Sequence, residues 1–531
     1  MNDVEFNLLD EPWVRVIRPD CSETELSLTD ALLHAQDVED LAGELPTQDV
    51  AVLRLLLAVM HAVFYRVDEN GDEAPVEEAE DAYRRWKALW ELGHLPQEPV
   101  RAYLERWRER FWLFHPEQPF GQVKSAGIGT EYSAAKLNGE LSESGNKVRL
   151  FPVRSGAAKS ALTYGEAARW LLYVNGFDDT SAKPKGKDLP SVGAGWLGKL
   201  GLITAKGTNL FETLMLNFVL LKDTDESVWE GVTPSWELPQ ARGAERVQIA
   251  MPDDQAALLT LQSRRLLLHR DGGRVTGYTV LGGDFFERKN AFFEQMTVWR
   301  PIIEKGSLMG YQPRRHDSAR QMWRDFAVLA VQSDKRHRPG VVTWNLNLRD
   351  NGCLEDGRMM CCRIASVQYG DKDFFVSDVF SDSLMFHLEL LTEAGEIWRT
   401  RVMDEIERCD RMAGVIGMLA TELDIAAGGK GACEETAKEQ FYYRIDVPFR
   451  EWLTSLDPQQ DGMEKEERLE AWRRTAERIA GELGRELVAG AGPAAFFGRM
   501  VKVKRGKEEK EIHYSAPEAL NHFEYRMRKF N

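Results

Sequence analysis

With 531 residues, 43% of them hydrophobic and 29% charged, the chain has the composition of a water-soluble globular protein with apolar mass for two or three cores. Its formal net charge of −17 argues against a protein that coats nucleic acid along its whole surface. The charge is uneven, however: residues 1–100 hold 23 acidic and 7 basic side chains, and the remaining 431 hold 62 and 61.

Phosphate binding depends on local patches screened over about 10 Å, so a basic groove beyond residue 100 is compatible with this distribution. Within 287–349 the count is 12 basic to 6 acidic, so the charge permits nucleic acid without demanding it. Six cysteines (Cys21, Cys353, Cys361, Cys362, Cys409 and Cys433) form no C-x-x-C pair. That points to reduced thiols, with neither a zinc site nor a disulfide framework. The start, MNDVEFNLLDEPW, lacks the layout of a signal peptide, and the apolar run Leu53–Phe64 falls short of a spanning helix. A soluble, cytoplasmic protein without a membrane partner is expected.

In chain order, residues 5–17 and 24–28 read as short strands around a turn. A helix is expected from a Thr47 cap to about Arg66, burying Val50, Leu53, Leu57, Met60 and Phe64. An acidic break (67–80) precedes a Trp-rich helix near 77–93. The Gly/Ser-rich run 125–147 is too poor in large apolar side chains for a core of its own and reads as a loop. The segment TYGEAARWLLYVNGF (163–177) reads as a helix, and 178–192 as a polar connector. Between 207 and 375 the strand-like pieces are RVTGYTVLG, GVVTWNLNL and CCRIASVQY.

Beyond about Ser381 four helical segments are expected, near 383–423, 433–456, 463–489 and 516–529, the second bent by Pro448. The fold class is therefore α+β: a large mixed α/β N-terminal domain (1–380) followed by a C-terminal antiparallel four-helix bundle (381–531).

One short stretch invites a nucleotide reading. Gly193-Ala-Gly195-Trp-Leu-Gly198-Lys199 matches G-x-G-x-x-G and nearly matches the phosphate-binding loop. The residues before it are polar and broken by proline, Trp196 is bulky, and Leu200 stands where a Ser or Thr should reach magnesium. Two readings remain open: a tight turn packing Trp196 on a core, or a loop whose missing side chains let the backbone approach a ligand such as a DNA groove. No H-E-x-x-H, G-x-S-x-G or comparable constellation occurs, and His316-Asp317 reads as a solvated cluster, so neither a metal nor a cofactor is implied. Basic clusters lie at Arg288-Lys289, Arg314-Arg315, 335–338 and 501–514, each a solvated face or a set of phosphate contacts.

Three motifs in order, FNLLDEPWVRV (6–16), GELPTQDVAVLRLLLA (43–58) and ERFWLFHPEQPFGQVK (109–124), resemble the CasA family. That family is the large subunit of the type I-E CRISPR surveillance complex, Cascade. The likeness continues through NKVRLF, TYGEAARWLLYVNGF and SVQYGDKDFFVSDVFSDSLMF (366–386) and covers essentially the whole chain.

The resemblance implies a non-catalytic subunit that recognises the protospacer-adjacent motif (PAM) of target double-stranded DNA. Such a subunit helps to open the duplex, binds near the guide RNA 5′ end and helps to recruit the helicase-nuclease. Other backbone and small Cascade subunits and the displaced strand would be its partners. It maps a minor-groove glycine loop onto Ser191, Val192, Gly193, Ala194 and Gly195, and a groove cation onto Lys289 or Arg288. A strand-parting wedge falls at Gly370, Asp371, Lys372 and Asp373, with Phe374 as a further contributor. Asp373 stands near the family's glutamine, a departure that replaces an amide's donors by a carboxylate.

Phe151 is either a base-stacking ring at the RNA end or a small core phenylalanine. Lys502, Lys504 and Arg505 would meet phosphates beside the bundle. The competing classes are a protein-only scaffold and a nucleotide-dependent enzyme using Gly193–Lys199.

Overall fold

The computed structural model describes the chain apart from residues 1–3, 142–152, 182, 185, 223–225, 334–335, 458–459, 461, 506–507 and 531, with backbone alone for 503–505 and 508–509. Two compact units emerge. The first comprises Met1–Ser318, Val331–Glu355 and Cys361–Ser383; the second comprises Ala319–Ala330, Asp356–Met360 and Leu384–Asn531. The 1–380 expectation placed 319–330 with the first domain. Packing groups it with the second, because the buried Trp323 stacks on Phe449 at 4.2 Å and donates to Asp446.

The first unit is a set of small antiparallel sheets wrapped around buried helices. At its centre lies the Pro46–Phe64 helix, nearly all of whose side chains are buried. It starts one residue before the expected Thr47, because Leu45 is the extended residue and Pro46 takes the first helical position, where its missing N–H costs nothing. This helix is long and apolar enough to span a membrane, yet 94% of its apolar window is buried inside the fold. Its Arg54 is itself buried and forms a bidentate pair with Glu294 at 2.8 and 3.1 Å. The Tyr164–Phe177 helix opens on a capping box between Thr163 and Glu166, as the T-Y-G-E spelling requires.

Three sheets matter for the site. Arg264–Asp271 and Arg274–Gly282 form a hairpin to which Thr130–Ser133 adds a third strand. The run 125–147, expected as a loop, therefore contains a strand and a helical turn, Ala134–Leu137. Tyr132 lies beside Tyr278, and Ala134 and Leu137 are buried, which supplies the apolar contacts the run lacks by itself. Phe151 lies outside the described residues. Met359–Tyr369 is the centre of a second sheet, flanked by Ile203–Lys206 and Val376–His387. Trp299–Glu304 pairs with Ser307–Pro313.

Two segments differ from expectation. GVVTWNLNL, read as a strand from its β-branched residues, is the helix Gly340–Asp350. Its buried positions, Val341, Val342, Trp344, Asn345 and Leu348, follow a helical period, and that burial outweighs β propensity. Residues 383–395, read as helix, complete the Val376–His387 strand and a short 3-10 turn before the long helix begins at Glu396.

In the second unit the long helices are Glu396–Ala427, Glu434–Thr454, Gly462–Gly490 and Ala516–Met527. The first packs on the other three, and the third packs on the second and fourth. The second runs on through Pro448. Its core is aromatic: Trp452 stacks on Trp472 at 5.7 Å, and Phe449 meets both edge-on. Between the third and fourth helices lies an unforeseen hairpin, Arg499–Arg505 with Glu508–Tyr514. Its register sets Lys502 opposite Glu511, so this basic residue faces an acidic one across the strand.

Candidate nucleic-acid interface

The glycine loop leaves the Tyr164–Phe177 helix through a charged staple. Asp178 is buried, paired with Arg264 and, at 2.9 Å, with Lys183. Burial works against its charged form, but those two cations outweigh it and hold its carboxyl below the ordinary range. Lys136 pairs with the neighbouring Asp179 at 2.6 Å.

From there the loop divides into two halves. Ser191, Val192 and Gly193 reach the surface, whereas Ala194 and Gly195 are buried. Gly195 donates to the Asp178 carbonyl at 2.8 Å, and a Cβ on it would lie 2.3 Å from the Gly176 carbonyl oxygen. Trp196 donates from Nε1 to Glu294 at 2.9 Å and packs on Phe286 at 4.3 Å. The second half is thus the tight turn packing Trp196, and only the first half is open to a ligand. Ala194 and Gly195 leave the set of expected contact residues, because packing already encloses them.

The frame of a nucleotide site is missing here. Among the described residues no strand leads into Gly193, and the loop passes into the three-residue 3-10 turn Leu197–Lys199 rather than a helix whose N-terminus could face a phosphate.

What surrounds the open half is a cluster of cations from distant parts of the chain. Arg264 donates to the Gly193 carbonyl at 2.7 Å, and Arg246 to that of Pro190 at 2.6 Å. A Cβ on Gly193 would meet the Lys199 side chain at 3.5–3.7 Å, so the ammonium lies just beneath the loop. Burial, then the fields of Arg264, Arg288, Arg246 and Arg315, push the Lys199 ammonium down to about 7. Among the described residues Lys199 and Arg288 make no side-chain hydrogen bond or ion pair. Of the two expected groove cations, the structure brings Arg288 into this cluster. Lys289 is exposed, pairs with Glu287 at 2.8 Å, and has Glu304 as its other charged neighbour.

The hairpin tip between Met359–Tyr369 and Val376–His387 lies against the same cluster. Gly370 is required there: a Cβ would meet the Phe375 ring at 2.2 Å. Lys372 and Asp373 adopt left-handed backbone, with φ of 52° and 61°. Thr180 clamps the turn, its N–H donating to the Asp373 carbonyl and its hydroxyl to that of Lys372, both at 2.9 Å. Arg315 clamps it from the other side, donating to both Asp373 carboxylate oxygens at 2.8 Å while its Nε donates to the Gly198 carbonyl at 2.6 Å.

One guanidinium therefore braces the glycine loop and the hairpin together, lying over the Tyr369 ring at 4.8 Å. Asp373, the expected wedge position, is committed to that brace and is not free to enter a duplex. Asp371, Lys372 and Phe374 are the exposed tip, with Phe374 42% exposed.

Sequence reasoning named the two loops but missed Lys199, Arg246, Arg264 and Arg315 as their shared lining. Arg315 stood in a basic pair and Lys199 closed the glycine motif, while Arg246 and the Arg264-Arg265 pair were not singled out. His316, expected in a solvated cluster, faces the Leu202 carbonyl at 2.9 Å.

The family profile described as CRISPR-associated protein Cse1 matches residues 7–483. A CRISPR-associated protein CasA/Cse1 of Thermus thermophilus is 30% identical over 539 residues, spanning 94% of this chain and 97% of the relative. The crystal structure of Thermobifida fusca Cse1 superposes with a TM-score of 0.79 at 28% identity, over 99% of this chain and 98% of that one. A chain of a CRISPR RNA-guided surveillance complex shares the fold, with a TM-score of 0.66 at 17% identity over 99% of both chains.

Proposed function

The chain belongs to the CRISPR-associated Cse1/CasA family, and from that membership we propose that it is the large, non-catalytic subunit of a Cascade surveillance complex. In that role it recognises the PAM in target double-stranded DNA, starts duplex opening, and helps to recruit the helicase-nuclease. The guide RNA 5′ end and the other Cascade subunits are its remaining partners.

The observation that carries the DNA reading is the shared cation cluster: Arg264 holds the Gly193 carbonyl of the loop's surface half, and Arg315 ties Gly198, just beyond the loop, to Asp373 of the exposed hairpin tip. Such a body suits a task with two parts. Backbone at Gly193, with Val192 and Ser191, fits a narrow minor groove, where chemistry distinguishes base pairs only coarsely and several motifs are tolerated. Lys199 and Arg288, which make no side-chain hydrogen bond or ion pair among the described residues, are placed to meet flanking phosphates. Phe374, an apolar ring beside a lysine, is the residue suited to enter between base steps, taking the role that the sequence alone placed near Asp373.

The test is binding by the reconstituted complex, with and without this chain, to guide-matched duplexes whose adjacent motif is randomised. Enrichment of a short motif only when the chain is present, and its loss in Gly193→Gln and Arg288→Glu, is the expected result. Equal binding to every motif would leave the chain a scaffold.

A further inference from the structure

The second unit holds a groove of about 720 Å³ whose chemistry the DNA reading does not use. It runs between the Glu396–Ala427 and Ala516–Met527 helices, with one edge from Gly462–Gly490. Its cations are Arg408, Arg411, Arg473, Arg526 and Lys529, against Asp404 and Glu405.

Three of the five are partly satisfied. Arg473 pairs with Glu405 at 2.8 Å, and Arg526 with Glu422 at 3.0 Å. The Arg408 side chain is only 8% exposed; its Nη2 reaches Glu477 and the Phe530 carbonyl, but its Nη1 is buried without a partner. Nη1 of Arg526 is orphaned in the same way. Among the described residues the side chains of Arg411 and Lys529 make no hydrogen bond or ion pair, only approaches to the rings of Phe530 and Tyr525 at 5.9 and 5.1 Å. A buried guanidinium N–H left unmade is costly, so a groove with two such groups beside two free cations is built for a ligand that brings oxygen acceptors.

The surroundings choose among anions. The floor is apolar, formed by Gly414, the buried Val415 and Met418, which is 41% exposed. A Cβ on Gly414 would touch nothing within 4 Å, so that floor is open. A nucleic-acid strand carries a charge at every nucleotide and would be carried past the exposed Asp404, which opposes it. A single carboxylate on a side-chain stalk avoids Asp404 and reaches inward to Arg408. We propose that this groove docks an acidic segment of a partner protein, with one carboxylate entering between Arg408 and Arg411 and a neighbouring apolar side chain resting on Gly414 and Met418.

The probe is a short fluorescent peptide of alternating leucine and glutamate, titrated into the full-length chain by anisotropy, with unlabelled oligo(dT) and inorganic phosphate as competitors. Saturable binding that weakens at least about tenfold in Arg411→Glu and in Lys529→Glu, and survives in Arg411→Lys, is expected. Both reversed positions are at the groove's outer rim, and circular dichroism of each variant separates a lost site from a lost fold. Absence of saturable binding, binding indifferent to both reversals, or displacement by oligo(dT) at or below the peptide's own concentration overturns the proposal. The last outcome would make this a nucleic-acid groove. None of these outcomes bears on motif recognition by the first unit, so the two readings stand or fall separately.

Discussion

Gly193 and Gly195 sit two residues apart in one loop, and alanine should be tolerated at the first and destabilising at the second. At Gly195 the new Cβ lies 2.3 Å from the Gly176 carbonyl oxygen, 2.6 Å from its carbon and 3.0 Å from the Phe177 nitrogen. All three are backbone atoms, so no side-chain rotation relieves the contact. The end of the Tyr164–Phe177 helix must move by about 1 Å to restore ordinary separation, and overpacking of this kind costs about 1–3 kcal/mol.

At Gly193 the nearest atoms are Cε and Nζ of Lys199, at 3.5 and 3.7 Å, and its φ lies outside the left-handed region. Gly193→Ala should therefore be neutral within about 0.5 kcal/mol, or slightly stabilising through the unfolded chain. Urea unfolding of the isolated chain measures the first difference, and motif-dependent duplex binding in the reconstituted complex measures the second. Gly195→Ala should lower the unfolding midpoint, while Gly193→Ala keeps it and Gly193→Gln keeps it too but loses motif dependence. Equal destabilisation at both positions, or a Gly195→Ala protein as stable as the parent, would refute the division of the loop into a packed half and a reading half.

Three further outcomes follow from the same geometry. Phe374→Ala should weaken opening of a matched duplex by about 1–3 kcal/mol, the worth of one base–aromatic stack, while leaving affinity for a pre-opened bubble unchanged; a permanganate footprint of the first target positions reads this directly. Arg315→Ala and Asp373→Ala should each cost about 1–3 kcal/mol of stability, because both side chains are only 28% exposed and each change leaves a hydrogen-bonding partner unmet, and each should impair opening, with a double mutant no worse than the Arg315 single in a binding cycle.

The last concerns pH. Lys199 has a folded-state value near 7, below its unfolded one, so the unfolded chain binds more protons between about pH 7 and 10.5 and this group's contribution to stability rises with pH across that window. A bound phosphate favours the ammonium instead, so DNA binding should take up a proton and weaken as pH rises from about 6.5 to 8.5. Calorimetry in two buffers of different ionisation enthalpy should show that uptake in the parent and its loss in Lys199→Met.

How much of this was legible in the sequence depends on the range of the forces involved. Elements fixed by local rules were readable: the Thr163–Glu166 capping box sets the start of one helix, and the apolar period of 46–64 gives another. Elements decided by distant partners were not. Gly340–Asp350 looks like a strand until its Val and Trp side chains are seen to bury along one helical face. The Arg499–Tyr514 hairpin carried a period-two signal, Val501 and Val503 alternating with Lys502 and Lys504, that was read as a run of charge and not as a strand.

The electrostatics of the candidate site follow the same logic, and explain why a chain of charge −17 still supports a basic surface. A count over a window weighs neighbours in sequence, but the field at a point weighs neighbours in space. The cations around the open half of the glycine loop come from positions 199, 246, 264, 288 and 315, and no window short enough to be informative contains more than two of them. In the basic run 501–505, Lys502 is set opposite Glu511 across its hairpin, so part of that run's field is offset where it arises. Arg264 and Arg315 have carboxylate partners too, Asp178 and Asp373, but those partners are spent in holding the loop and the hairpin tip in place. Among the described residues Lys199 and Arg288 make no ion pair, and a double charge reversal there should abolish motif-dependent binding while the same change at Lys502 and Lys504 leaves it intact.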